Sequence, residues 1–221
     1  MIYLEETLNL QPATPDTLDR FLEFAQNDLV PSYHDLGSRL VAAWYNDIEM
    51  FHQVTQILEF ENLEAFGNYR SSMMTDTQCQ QLAGQLESFA PVRRYRLLEP
   101  LAPAFSPILH KAISDSQDTP LGSYNLAILK VAASKMNDMV AGLSMVAESE
   151  ALPIIMSWRP VAGNPNEIID VWKGSLQHSG YQSKERYNSM GLDDEWWQNL
   201  RIMAPEERVV SVYTLPHSPL K

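Results

Sequence analysis

The sequence has one cysteine, Cys79, in 221 residues, which excludes an internal disulfide and any metal site built from clustered thiolates. Cys79 stands among Gln78, Gln80 and Gln81 and reads as an ordinary surface or half-buried thiol. Long apolar runs are missing too, and none approaches the ~18 residues that a bilayer-spanning helix needs. The opening Met1-Ile2-Tyr3-Leu4-Glu5-Glu6 has no basic residue and meets acid at position 5. Neither a leader nor a membrane anchor is expected, and the chain reads as cytoplasmic. Positive charge is scarce: 16 Lys and Arg against 28 Asp and Glu give a net charge of −12. That balance argues against nucleic acid or an anionic membrane as partner. No Gly-rich phosphate loop, Gly-x-Ser-x-Gly elbow or metalloprotease His-Glu pair occurs, which removes the commonest nucleotide-dependent and hydrolytic classes. What is present is 45% apolar content, enough to build a full core.

The chain also repeats itself. Trp44 is followed eight residues later by His52-Gln53-Val54-Thr55-Gln56-Ile57-Leu58-Glu59, and Trp158, 114 positions on, is followed eight later by Asn166-Glu167-Ile168-Ile169-Asp170-Val171-Trp172-Lys173. The same offset carries Arg94-Tyr95-Arg96-Leu97-Leu98 onto Arg208-Val209-Val210-Ser211-Val212, and each segment runs into a Pro-containing exit that ends in Ser106-Pro107 or Ser218-Pro219. Segments in one order at a nearly constant offset indicate a duplication, with halves at 1–110 and 111–221.

Each half shows the same succession of periods. Residues 2–10 and 123–131 are short strand-like runs. Thr14-Pro15 reads as an N-cap followed by an N1 proline, after which Leu18, Phe21, Leu22, Ala25 and Leu29 fall on one helical face until Pro31 interrupts it. In the second half Ser134 is the expected cap before Met136, Met139, Val140, Leu143 and Val146. Two hairpins follow, 39–45 with 53–60 and 154–159 with 167–173. Helices are expected over 62–70, 75–88, 184–190 and 193–203, and closing strands over 92–98 and 208–213. The order βαββαβ in each half is the ferredoxin-like split-βαβ unit, with helices on one face of a four-stranded antiparallel sheet. The expected fold class is therefore α+β, a tandem duplication of such units whose sheets pack into an α+β barrel. Residues 100–122, with Pro100, Pro103, Pro107 and Pro120, read as the linker.

Several segments carry a family likeness: Tyr3–Pro12, Leu29-Val30-Pro31, Gly37–Tyr45, His52-Gln53-Val54 through Leu63, and Leu98-Glu99-Pro100-Leu101, with a diverged second copy through Trp158, 166–172 and Leu215–Leu220. On these the chain resembles the NIPSNAP family of the dimeric α+β barrel superfamily. The resemblance implies the barrel fold but no single reaction, since that superfamily holds monooxygenases, isomerases, lyases and haem enzymes. Where the family's third strand typically carries a histidine, this chain has Gln56 and Asp170, so haem is not expected there.

Polar residues on strands are the informative ones, because burial without a partner costs roughly 1–3 kcal/mol. In the first strand Tyr3, Glu5, Thr7 and Asn9 share one face. Leu4, Leu8 and Leu10 share the other, with Glu6 as its exception, so the apolar side should meet the helices and the polar side a barrel interior. Glu5, Gln56 and Asp170 are then expected to converge on one cavity, unless the carboxylates pair with Arg39, Arg94 or Arg159. Among five histidines, His34 in Tyr33-His34-Asp35 is the first candidate for acid–base work; His52, His110, His178 and His217 lack metal-site spacing. Trp44, Trp158 and Trp172 read as packing residues that also shape a cavity. Tyr45, Tyr69 and Tyr187 offer hydroxyls, and Arg94 is a natural anion anchor.

These residues describe a cofactor-free, metal-free protein that binds a small, largely apolar organic molecule. The reaction expected is an isomerisation or cyclisation by proton transfer within a biosynthetic pathway. Asp170 or His34 would serve as acid–base, Tyr45 or Tyr69 would polarise a carbonyl, and Arg94 would hold an anionic group, with Glu5 and Gln56 lining the site. The alternative is a non-catalytic, oligomerising interaction protein with a packed barrel. A homodimer is compatible with either reading.

Overall fold

The computed structural model describes residues 1–149, 153–174 and 194–221. The expected helix over 184–190, His178 and Tyr187 lie outside the described residues. The strands hydrogen-bond as a closed barrel in the order β1-β3-β2-β8-β5-β7-β6-β4. Within that order lie β4-β1-β3-β2 and β8-β5-β7-β6, the split-βαβ arrangement twice over. Two compact units make up the chain. Unit 1 is Met1–Leu98, Ile113–Leu121 and Tyr213–Lys221, and unit 2 is Glu99–Ala112 and Gly122–Val212.

In unit 1, β1 (Ile2–Asn9) leads to α1 (Pro15–Phe24). Thr14, in extended conformation, accepts from the Thr17 amide at 3.3 Å, and Pro15 takes the first turn, where its missing N–H costs nothing. Pro31 does not end the helix, contrary to expectation. The chain passes through a π-helical turn, Ala25–Leu29, in which the Val30 N–H donates to the Ala25 carbonyl, and re-enters α2 (Val30–Asp35) with Pro31 in its first turn. The wider turn removes the need for the donor that proline lacks. The hairpin β2 (Arg39–Asn46) and β3 (Gln53–Phe60) follows, then α3 (Leu63–Thr75), α4 (Thr77–Phe89) and β4 (Val92–Pro100). Strand β1 pairs antiparallel with both β3 and β4. Leu4, Leu8 and Leu10 of β1 join Val54, Leu58 and Phe60 of β3 in one core with Phe21, Phe24, Leu29 and Tyr33 of the helical layer. The apolar side of β1 thus meets the helices.

The expected linker contains an element of its own, α5 (Phe105–Asp115). Proline content hid it. Pro107 falls in the helix's first turn, and Leu101, Phe105, Leu109 and Ile113, four apart, are all buried. In unit 2 come β5 (Ser123–Lys130), a short 3-10 turn (Ala133–Lys135), α6 (Met136–Ser149), β6 (Ile154–Pro160), β7 (Glu167–Lys173), α7 (Asp194–Met203) and β8 (Glu206–Thr214). Ser134 lies inside the 3-10 turn; the position before that turn is Ala132, which makes no side-chain cap. The 114-residue offset reappears in the hydrogen bonding. In unit 2 the Leu101 N–H donates to the Ser157 carbonyl at 2.9 Å, and in unit 1 the Leu215 N–H donates to the Ala43 carbonyl at 3.0 Å.

Candidate functional site

The site follows from one break in an alternation. Residues opposite each other across an antiparallel pair share a face, and Glu6 stands opposite Gln56 on β3 and Tyr95 on β4. This places a carboxyl on the helix-facing side of β1, between Leu4 and Leu8, where it is 3% exposed. From α2 the Tyr33 hydroxyl donates to Glu6 Oε2 at 2.8 Å. Helix α3, started by Asn62 Oδ1 accepting from the Ala65 amide at 2.9 Å, supplies Tyr69, which is buried, and Arg70, which is exposed. Strand β4 supplies Arg93 and Tyr95 on the face of Glu6, because Leu8 pairs with Arg93 and Glu6 with Tyr95.

Glu6, Tyr33, Tyr69, Arg70, Arg93 and Tyr95 line one crevice of unit 1, with Leu4, Leu29, Leu82 and Leu86 as apolar wall. Its empty space is about 370 Å3 counting the solvent at its mouth, and the sheltered part admits only small groups. Burial pushes the Glu6 carboxyl above the ordinary carboxylate range, and this outweighs the opposing pull of the Tyr33 and Tyr95 hydroxyls and the Arg93 charge. Tyr33 and Tyr69 are raised above the phenol range, first by burial and then by the Glu6 charge. Tyr95, 48% exposed, is pushed up to about 12 by the same two causes, while Arg93 and Arg70 act against them. A carboxyl that releases its proton reluctantly, ringed by phenols that keep theirs, is suited to taking up and returning a proton. Beside it Gln56 is fully buried, and neither of its amide atoms has a hydrogen-bond partner among the described residues.

Unit 2 buries a different acid. Asp170 stands opposite Ala127 on β5 and Ser157 on β6 and is 1% exposed. The Ser157 hydroxyl donates to its Oδ1 at 2.6 Å, while Oδ2 has no partner among the described residues. Burial pushes Asp170 up to about 7; the Ser157 hydrogen bond opposes this and the Glu207 charge adds to it.

The other expected site residues do not assemble as anticipated. Glu5 lies on the opposite face of β1 from Gln56, since Glu5 pairs with Ile57 and Glu6 with Gln56. It is held by Arg96 through two bonds of 2.6 and 3.0 Å, so Glu5 and Gln56 do not face one cavity, and Asp170 belongs to unit 2. His34 projects from α2 with its side chain 87% exposed, 3.9 Å from Asp35, and stands away from the crevice. Tyr45 belongs to the β2–β3 hairpin, where its hydroxyl donates to Asp47 at 3.1 Å and lies 2.8 Å from His52 Nδ1. Arg94 is exposed on the other face of β4 from Arg93. Trp44 and Trp158 are each 1% exposed and Trp172 is half-buried. Tyr69 alone of the expected residues lines the crevice. Glu6, Tyr33, Arg70, Arg93 and Tyr95 were not singled out for the site, although Glu6 was legible as the acid breaking an apolar face. Among the described residues no group of three or more His, Cys, Asp and Glu is placed to hold a metal ion, and no helix is long and apolar enough to cross a membrane.

No family model matches the chain, and no curated protein matches it either. Solved structures do. A protein from Fusobacterium nucleatum subsp. nucleatum, provisionally named a monooxygenase, matches at TM-score 0.60 and 9% identity over 97% of this chain and 92% of its own. A second provisionally named monooxygenase, from Lactobacillus acidophilus NCFM, matches at TM-score 0.56 and 14% identity over 96% and 92%. A NIPSNAP family protein from Agrobacterium tumefaciens covers 47% of this chain and 92% of its own, with 16% identity and TM-score 0.40. The two full-length likenesses show the fold, that of the α+β barrel proteins, and at these identities the fold alone.

Proposed function

We propose that unit 1 binds a small, largely apolar organic molecule in the Glu6 crevice and moves a proton on it, as an isomerase or cyclase does. One observation carries this reading: a buried carboxyl with raised proton affinity faces an opening instead of being sealed in the core. The fold by itself hosts several chemistries and favours none. In the step proposed, ionised Glu6 removes a proton from a carbon next to a carbonyl. The carbonyl oxygen takes up the negative charge, stabilised by a phenol of Tyr69 or Tyr95. The proton returns from Glu6 to another carbon, and no electron is gained or lost. Tyr33 acts as a positioning residue, since its hydroxyl holds Glu6 Oε2.

The test is proton exchange in heavy water, with phenylacetone and phenylpyruvate as probes followed by proton NMR. The wild type is expected to accelerate exchange at the carbon beside the carbonyl, and Glu6→Gln to lose that acceleration by at least about a hundredfold. Exchange unaffected by Glu6→Gln would remove the carboxyl from the chemistry. The small size of the sheltered part favours a second reading, a non-catalytic interaction protein in which the crevice is a packing feature. Failure of the wild type to accelerate exchange of either probe selects that reading.

A further inference from the structure

We infer that the ligand of this crevice is an anion, a small organic carboxylate held at the mouth by Arg70 and Arg93 with its apolar part inward; the inference uses the crevice proposed above as its site. Both arginines line the opening. They come from different elements, Arg70 from α3 and Arg93 from β4, and yet line the same crevice. Among the described residues neither makes a salt bridge. Arg20, Arg96, Arg159 and Arg201 all do, with Asp16, Glu5, Glu99 and Glu207 respectively. In a chain with a net charge of −12, acid is abundant, yet the one carboxyl among the residues lining this crevice is the buried Glu6, whose charge Arg93 feels without forming a salt bridge.

A carboxylate supplies what this geometry lacks. Its two oxygens accept from guanidinium N–H donors in a forked arrangement, and the attached apolar group meets Leu4, Leu29, Leu82 and Leu86. An ionised Glu6 would repel a second ionised carboxylate placed alongside it. The ligand's charge therefore belongs at the arginines, with its reactive carbon toward Glu6. The duplication sharpens the assignment. At the 114-residue offset Arg93 corresponds to Glu207 and Tyr95 to Val209, so the anion site has no copy on β8.

Calorimetric titration of benzoate and its neutral isostere benzamide into the wild type, Arg70→Gln and Arg93→Gln decides the matter. The wild type is expected to bind benzoate at least tenfold more tightly than benzamide, and each substitution to reduce that margin severalfold without altering benzamide binding. Equal binding of the two probes, a margin that survives both substitutions, or no binding of either would overturn the inference. Proton transfer is read independently on the neutral ketone phenylacetone. Loss of the anion preference leaves that reading standing, and loss of exchange leaves the anion preference standing. Far-UV circular dichroism of both variants separates a lost contact from a lost fold.

Discussion

Asp170→Asn is expected to stabilise the protein at pH 8 by about 4 kcal/mol and to leave it almost unchanged at pH 4. In the folded chain the Asp170 carboxyl releases its proton near pH 7 rather than 3.8. The folded form therefore holds a proton that the unfolded chain gives up. Stability is full below about pH 4, declines as pH rises through the window from about 4 to 7, and is level above it. Three units of displacement at about 1.4 kcal/mol each set the size of the effect, and burial at 1% exposure means that little solvent screening reduces it. An amide keeps an oxygen to accept from Ser157 Oγ and carries no charge at any pH. The check is urea unfolding of both proteins from pH 4 to 8. A difference between them that stays constant over that range, or a variant less stable at pH 8, contradicts the account of Asp170.

Trp44→Ala and Trp158→Ala are each expected to cost 3–5 kcal/mol, the range for truncating a large aromatic side chain in a core. The two indoles occupy equivalent positions 114 residues apart, and each is 1% exposed. Trp44 pairs with Thr55 on the side of the unit 1 sheet away from Gln56, and Trp158 pairs with Ile169 on the side of the unit 2 sheet away from Asp170. Thermal and denaturant unfolding measure both costs. A cost below about 1 kcal/mol for either would mean that the indole lines empty space and is not packed.

The sequence disclosed the architecture more readily than the chemistry. Strand β7 was legible from the run Glu167-Ile168-Ile169-Asp170-Val171-Trp172-Lys173, and the repeat at 114 residues announced two like units before any contact was known. Prolines misled where they were weighed without position. Pro31 and Pro107 both lie in first helical turns, where the missing donor is harmless, and so α2 and α5 were concealed. On β1, α2 and β4 the expectation fell one residue away from the site, whereas Tyr69 of α3 was expected and lines it. Glu5 was preferred to Glu6, His34 to Tyr33, and Arg94 to Arg93. On a strand such a step changes the face on which a side chain stands. Glu5 and Arg94 suited a polar face, whereas the acid with raised proton affinity was the one among leucines. Titratable type favoured His34, yet exposure leaves its side chain in solvent and sends the neighbouring phenol inward. Arg70 had no signal in the sequence, since its place beside Arg93 depends on how α3 lies over β4.

Whether Glu6 holds a proton in an accessible crevice is read by carbon-13 NMR of the protein labelled at its Glu carboxyls. The Glu6 resonance is identified by its absence in Glu6→Gln and followed from pH 3 to 9. A midpoint clearly above 4.5, the ordinary value for this carboxyl, is expected, and it moves upward again when benzoate places a second negative charge nearby. A midpoint at or below 4.5, or one that does not respond to benzoate that binds, would contradict this role of Glu6.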